Sequence, residues 1–576
     1  MGKRSFLKFL LELYKPVKFA TIIMVAARIA TEFILLYKDR VFKDVIDLMT
    51  SETFVSGELE SYVIYICAIM LVSIIAKNIS NYYRMVVLLK KQPPYIINKV
   101  FNDMRVRSHE FFVDNYSGKI SASINQVTEL TTGLTEKFIK MFTMNMSKIL
   151  AINIFMFGVS KKVFYITAAY SLVMIIIRLA YFMKFWLLKA KTAEILSREH
   201  SGILNDAIAN IVPLKIYNAI KNYAVKIRDS KLSATSESSA ANKVEIIYST
   251  FIASIFDFIF VIFVMKYAID LYLVKELSVG SLVFIFSTVT ALRKVIGDFC
   301  WGYIVVAETL VKLKSSYELL YNPNNIIEDT DENLKVSDGI IEFKNISFAY
   351  DDKKVLDNFN IKINKGESVG IIGESGSGKT TINNLLFRFY EANEGELLID
   401  GQNILEFSRE SLYNNATYVP QETILLHTTI YENMKIAKPS ASKEEIIAAA
   451  KKAQIHEYIE RLPEGYNTIV GERGVKLSGG QRQRIALTRI FLRDAKIIVF
   501  DEATSALDNT TEYRVQESIN EFFTDKTIIC IAHRLSTLKE MDRIIVLGEN
   551  GIIEEGKPED IINKYSIVRE TKELLV

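Results

Sequence analysis

A chain of 576 residues is too long for one ordinary domain and predicts two to four. Half of its residues are hydrophobic, which excludes a disordered chain. The 70 Lys+Arg and 67 Asp+Glu leave a net charge of only +3, which excludes a nucleic-acid binder driven by bulk positive charge. Three widely spaced cysteines (Cys67, Cys300, Cys530) and five histidines without an H-E-x-x-H pattern argue against a disulfide framework and a zinc enzyme. A mildly positive mean hydropathy suggests that the average conceals two unlike halves.

The chain opens on a basic, Leu/Phe-rich stretch from Met1 to about Lys18, in which Glu12 is the only acid. It reads either as an amphipathic targeting segment or, the favoured reading, as a helix lying on the membrane surface. No cleavable secretory signal is expected. Six apolar stretches then follow, near 18–37, 61–87, 138–160, 163–186, 247–271 and 279–303, each about the 20 residues that cross a bilayer. Six such runs in one half of a chain are not the buried core helices of a soluble protein.

Loop charges set the orientation, because cytosolic loops collect Lys and Arg. The N-terminus and the connectors 88–137 and 187–246 are basic, whereas the segment after the first span carries Asp44, Asp47, Glu52, Glu58 and Glu60. Both termini and both long connectors are therefore expected on one side, cytosolic or matrix-like. Lys161 and Lys162, in the short third-to-fourth connection, run against this trend.

Charges also occur inside the spans: Arg28, Glu32, Lys77, Arg178, Asp257, Lys266, Arg293, Lys294 and Asp298. A charge facing lipid at mid-bilayer costs about 3 kcal/mol or more, so these groups should face the bundle interior or a wet cavity. They either line a cavity for a hydrophilic substrate, anionic ones included, or pair with one another to order the helices. Arg28 and Glu32, at i,i+4, are the expected pair.

Beyond the last span a helix through Leu320 gives way to a polar linker, 321–339. From Ile340 short β-type runs alternate with amphipathic helices, the rhythm of an α/β domain. Gly373-Glu374-Ser375-Gly376-Ser377-Gly378-Lys379-Thr380 fits G-x-x-x-x-G-K-[ST], after an apolar strand (368–372) and before a helix that opens at Thr381. Such a loop curls its backbone N–H groups around phosphates, with Lys379 on the β/γ-phosphates and Thr380 on Mg²⁺. A second strand, 496–500, ends in Asp501-Glu502: Asp501 suits the Mg²⁺ shell and Glu502 the polarisation of an attacking water. Between them, Leu477-Ser478-Gly479-Gly480-Gln481 at a helix start forms another anion cradle. Two cradles for one triphosphate make sense if ATP is sandwiched between two copies.

These motifs together resemble an ATP-binding cassette (ABC) transporter over essentially the whole chain. The resemblance implies a six-span α-helical domain of the type I exporter fold (1–320), a linker (321–339) and an α/β P-loop ATP-binding cassette (340–576). Leu477–Gln481 is similar to the family signature, and Gly373–Thr380 and Ile497–Glu502 to the Walker A and B elements. Tyr350 matches the aromatic that stacks on adenine. Gln421 matches the glutamine that senses Mg²⁺, Asp508 belongs to a D-loop, and His533 matches the switch histidine at the γ-phosphate. Glu110-Phe111-Phe112 with Ser117-Gly118 and Val212–Asn218 resemble the two coupling loops, with Pro213 and Leu214 interrupting the second. Gly471–Gly474 is similar to the exporter X-loop.

Six spans with one cassette are similar to a B-subfamily half-transporter. Leu386–Tyr390 and Ala453–Glu457 look most like the mitochondrial and heavy-metal-tolerance branch, which implies glutathione-linked sulfur or metal conjugates. A lipid or multidrug exporter is the alternative. The resemblance implies ATP and Mg²⁺ as ligands and, as partners, membrane lipid and a second copy or a related half-transporter, with no nucleic acid. A mitochondrion-related membrane fits that branch. A soluble ABC ATPase conflicts with the six spans. An ATP-gated channel or a regulatory membrane subunit would share both halves, but the complete hydrolytic set favours a pump.

Overall fold

The computed structural model describes residues 5–51, 56–115, 117–322, 329–350, 353–374, 376–532, 535–549 and 551–564. They form two compact units, one of residues 1–105 and 115–326, the other of 106–114 and 327–576.

Among its described residues the first unit contains helices joined by turns and no strand. Helix α1 (Phe6–Leu13) precedes α2 (Lys18–Met49), α3 (Ser56–Tyr82) and α4 (Leu89–Asp103). Among the described residues six helices are long and apolar enough to cross a membrane: Lys15–Met49, Gly57–Val106, Ser117–Val159, Lys161–Ala209, Phe251–Leu273 and Val279–Leu320. They exceed the apolar stretches because the helices continue past them. The continuation passes through a π-helical turn in four cases, Tyr83–Leu88, Phe138–Thr143, Phe182–Trp186 and Ile247–Ala253.

The N-terminal stretch forms a helix, as expected, and α1 buries one face in the bundle. Phe9 and Leu13 are fully buried, and the Phe9 ring packs on Tyr317 (4.9 Å) and Tyr321 (4.8 Å). Leu7 and Leu11, on the other face, are exposed.

The charges within the spans divide. Glu32 is buried and pairs with Lys148 (3.5 Å), not with Arg28 one turn away, because Lys148 reaches it from another helix. Arg178 pairs with Asp257 (3.2 Å), and the Tyr170 hydroxyl donates to the same carboxylate. Lys77, Lys266, Arg293, Lys294 and Asp298 are exposed on the single chain. The anomalous Lys162 forms an ion pair with Glu276 (2.7 Å) from another connection, and Lys161 lies over the Phe157 ring.

The second unit begins with Val106–Asp114, so the expected boundary at residue 320 leaves out a segment that belongs with the cassette. Its helix α5 (His109–Asp114) stacks the His109 ring on Phe389 (4.9 Å, 20°) and fully buries Phe111. The first unit continues with α6 (Ser117–Lys137), α7 (Met144–Val159), α8 (Lys161–Tyr181), α9 (Leu187–Ala209), α10 (Ile211–Ile216), α11 (Ile220–Ile246), α12 (Ser254–Leu273) and α13 (Val279–Leu320).

In the second unit a four-stranded antiparallel sheet has the order β2-β1-β4-β5, from β1 (Ile341–Tyr350), β2 (Lys353–Ile363), β4 (Glu394–Ile399) and β5 (Gln402–Asn403). A six-stranded sheet has the order β10-β9-β3-β8-β7-β6, from β3 (Ser368–Gly373), β6 (Ala416–Val419), β7 (Ile497–Asp501), β8 (Thr527–Ile531), β9 (Arg543–Leu547) and β10 (Ile552–Gly556). The neighbours β9-β3-β8-β7-β6 are parallel. Such strands are buried on both faces and read as unbroken apolar runs. On β7, Ile497 and Val499 join a core with the four-stranded sheet, while Ile498 and Phe500 face the other way, into a core with helices. Those helices include α17 (Lys443–Lys452), α19 (Gly479–Phe491) and α20 (Asn509–Phe522). The helix α14 (Lys379–Leu386) follows β3, and α15 (Arg409–Asn415), α16 (Ile430–Lys435) and α18 (His456–Glu460) lie between α14 and α19 along the chain.

Helix crossings in the first unit depend on missing side chains. A Cβ on Gly302 of α13 would sit 2.6 Å from Met141 Cβ and 2.8 Å from its carbonyl oxygen. Gly302→Ala must push backbone apart, an overpacking cost of about 1–3 kcal/mol. It should lower the thermal midpoint of the detergent-solubilised protein, and an unchanged midpoint would show that the crossing has room to spare.

Candidate functional site

The site grows from the carboxyl ends of β3 and β7, where ligands of open parallel sheets bind. A Cβ on Gly373 would lie 2.6 Å from both the Leu547 carbonyl oxygen and Ser377 Oγ, so the chain leaves β3 through a residue that only glycine can occupy. Gly376 and Gly378 have φ of +87° and +96°, the left-handed region glycine enters freely. Gly378 then starts α14. The Lys379 ammonium donates to the carbonyls of Gly373 (2.7 Å) and Glu374 (2.8 Å), folding over the loop. Ser377 Oγ is buried with no hydrogen-bond partner among the described residues. Thr380 is exposed on the first turn and Thr381 is buried. Burial lowers the Lys379 pKa, and the carboxylates of Glu502 and Asp501 oppose that shift. Ser375 lies outside the described residues.

Tyr350 ends β1 beside α14. Its hydroxyl accepts from Asn384 Nδ2 (3.0 Å) and Thr381 Oγ1 (3.5 Å). Its ring is held edge-on by Phe348 (4.7 Å, 88°) and Tyr390 (5.0 Å, 83°). Tyr390 in turn meets His109 edge-on (5.8 Å, 72°), and burial lowers the His109 pKa.

At the end of β7, Asp501 is buried and accepts from the Tyr418 hydroxyl (3.0 Å). Burial holds the Asp501 pKa above the usual carboxylate range, the Tyr418 bond opposes this, and Glu502 adds to it. Glu502 has φ of +48°, unusual and strained for a residue with a long side chain. Its N–H donates to Ile531 O (2.9 Å), and its carboxylate accepts from Gln421 Nε2 (2.8 Å). The structure thus brings Lys379, Asp501, Glu502 and Gln421 into one site. His533, which follows β8 in sequence, lies outside the described residues.

Ser478 caps α19 reciprocally with Gln481: Ser478 Oγ accepts from Gln481 N–H (3.3 Å), and Gln481 Oε1 accepts from Ser478 N–H (2.8 Å). Gly480 packs against the backbone of Ala506, where a Cβ would meet the carbonyl oxygen at 2.8 Å, and Gly479 lies against the Ala506 side chain. Asp508 caps α20 through Thr511 N–H (3.0 Å). Among the described residues, Ser478 and Gln481 bond each other and no residue of Gly373–Thr381.

Sequence reasoning passed over Tyr418 and Gln483. Gln483 Nε2 donates to Glu502 O (3.3 Å) and Ser505 Oγ (3.2 Å), and its Oε1 accepts from Ala506 N–H (3.0 Å). Tyr418 was within reach of inference, since it stands in β6 beside β7, three residues before Gln421. Gln483 carried no signal of its own.

An acid whose pKa rises on folding binds its proton more tightly in the folded chain. Its contribution is most favourable below the ordinary carboxylate value near 4 and is lost as the pH climbs from there through the folded value. Asp501→Asn should therefore raise the nucleotide-free thermal midpoint at pH 7, and the gain should shrink on acidification. A lower midpoint at pH 7 would show that the charged carboxylate stabilises the fold.

Comparison with known proteins accords with this geometry. The ABC transporter transmembrane region profile matches residues 21–294, and the ABC transporter profile matches 356–505. An uncharacterised ABC transporter ATP-binding protein of Haemophilus influenzae is 45% identical over 269 residues, 46% of this chain and 44% of that one. The heavy metal tolerance protein of Schizosaccharomyces pombe is 40% identical over 289 residues, 50% of this chain and 35% of that one. A putative multidrug export ATP-binding/permease protein of Bacillus subtilis is 46% identical over 230 residues, 40% of each chain. The chain thus spans less than half the length of these curated relatives. A solved bacterial Atm1-family ABC exporter with ATP bound is similar over 98% of both chains, with a TM-score of 0.83 and 26% identity. With its membrane helices and its cassette each matched to the corresponding profile, the chain belongs to the ABC transporter family.

Proposed function

We propose that the chain is one half of an ATP-driven exporter, in which two copies sandwich ATP and couple its hydrolysis to transport across the six-span units. The observation that carries this reading is the Gln421–Glu502 contact (2.8 Å) at the end of β7, beside Asp501 and Lys379. A glutamate with no further function would not need a strained backbone and a glutamine fixed on its carboxylate.

In this mechanism Tyr350 stacks on adenine, the loop Gly373–Gly378 wraps the phosphates, and Lys379 swings from its carbonyls onto the β/γ-phosphates. Glu502 takes the proton of the attacking water at its carboxylate, Gln421 orients that carboxylate, and His533 contacts the γ-phosphate. Thr380, Asp501 and Gln421 are an all-oxygen donor set of the kind Mg²⁺ prefers, and the buried Asp501 has an electrostatic reason to accept a cation. Bound there, Mg²⁺ would neutralise phosphate charge. The Ser478–Gln481 loop and Asp508 complete the site from the second copy, which accounts for a cradle that, among the described residues, makes no hydrogen bond to the phosphate loop of its own chain. ATP binding closes the pair and hydrolysis resets it.

A charged, hydrophilic substrate is supported by the paired Arg178 and Asp257 and by the exposed Arg293, Lys294 and Asp298 on α13. Glutathione-linked sulfur or metal conjugates meet that description, and similarity to a heavy metal tolerance protein points the same way. Similarity to a putative multidrug exporter favours a lipid or drug as the second reading.

Glu502→Gln should keep ATP binding and lose turnover by roughly 10²-fold or more, whereas Lys379→Ala should weaken binding itself. Full ATPase activity in Glu502→Gln would overturn the assignment. In liposomes, glutathione conjugates should stimulate the ATPase, and stimulation by lipids or drugs alone would select the second reading. With Cys67 replaced by serine, Glu374→Cys and Ser478→Cys carried on separate copies should cross-link in the presence of ATP and double the mass on a non-reducing gel. A doubly substituted chain that cross-links only within itself would rule out the sandwich.

A further inference from the structure

Resting on the hydrolytic reading of Glu502, we infer that Glu512 is a positioning residue that locks the Glu502 loop to the helix following His533. Glu512 lies in the first turn of α20 and is 5% exposed. Its Oε1 accepts from two buried hydroxyls, Thr504 Oγ1 (3.2 Å) and Thr537 Oγ1 (3.2 Å). Thr504 stands two residues after Glu502. Thr537 lies in the short helix Leu535–Lys539, four residues after His533. A carboxylate only accepts and a threonine hydroxyl can donate, so the three groups satisfy one another in a place where an unbonded polar group is costly.

The tie matters because the Glu502 backbone does not hold itself. Its left-handed φ persists only if neighbours over-determine it. One restraint is the Glu502 N–H bond to Ile531 O at the end of β8 (2.9 Å). The Thr504–Glu512–Thr537 bridge is a second link between the same two segments. Close packing does not replace it, because a cavity of about 50 Å³ lined by Glu502, Thr504, Ile519, Cys530 and Thr537 lies beside the loop. With the bridge intact, the base and the switch segment shift together. With it broken, Glu502 can leave its place while the phosphate loop, on another strand, stays intact.

The test uses threonine variants of the full chain in liposomes, since truncating Glu512 itself endangers folding. Thr504→Val and Thr537→Val keep the shape and remove the hydroxyl. Each should lower kcat about tenfold while the KM for ATP stays within about twofold. The double variant should be no worse than the poorer single one, because both hydroxyls act through one carboxylate. Thr504→Ser and Thr537→Ser, which restore the donor, should recover at least half of the turnover. Valine variants with normal kcat, losses that serine does not recover, or a KM that rises in step with the fall in kcat would overturn the role. Glu502→Gln runs beside them. If the wild type has no turnover, or Glu502→Gln has full turnover, the hydrolytic reading fails and takes this role with it. If both controls behave and the valine variants turn over normally, only the role of Glu512 fails.

Discussion

The parallel pairing of β3, β8 and β7 is the constraint on which the cassette depends. It places the carboxyl ends of three strands side by side, so the phosphate loop after β3, the acidic pair ending β7 and the segment following β8 share one edge. Each strand is buried on both faces, and a change of register by one residue would exchange its two cores. Such a shift would also withdraw Asp501 from Tyr418 and Glu502 from Ile531 O. The register of the sheet therefore sets where the residues at the ends of β3 and β7 stand.

In the helical unit the organising constraint is the cost of charge in an apolar surrounding. Arg178 and Asp257 neutralise each other with help from Tyr170, and Glu32 draws Lys148 across from another helix. These contacts join elements far apart in sequence and so fix how the helices are arranged. Close glycine crossings such as Gly302 on Met141 do the same through shape.

Much of this was legible in the residues. The phosphate loop could be read because its glycines are forced by geometry, and Asp501-Glu502 because they end an apolar strand. The membrane helices could be read from composition, although their ends could not: a helix does not stop where its apolar stretch stops. Pairing was the least legible property. An i,i+4 spacing pointed Glu32 to Arg28, yet the partner came from a helix more than a hundred residues away. For the same reason the charge of Lys162, against the trend of its loop, is explained only by Glu276 from a distant connection. Tyr418, Gln483 and Glu512 are tied to their neighbours by contacts that cross the fold, and local pattern does not encode such contacts.

The π-helical turns at Tyr83–Leu88, Phe138–Thr143, Phe182–Trp186 and Ile247–Ala253 bear on how the long helices should be read. One inserted residue advances the side chains by about 100° around the helix axis. A stripe that faces lipid on one side of such a turn therefore emerges facing a different direction on the other. A single helical wheel drawn through either stretch would merge two unrelated faces. A rod phased in this way can present an oily side within the bilayer and a differently oriented polar side beyond it, each set independently by its own residues.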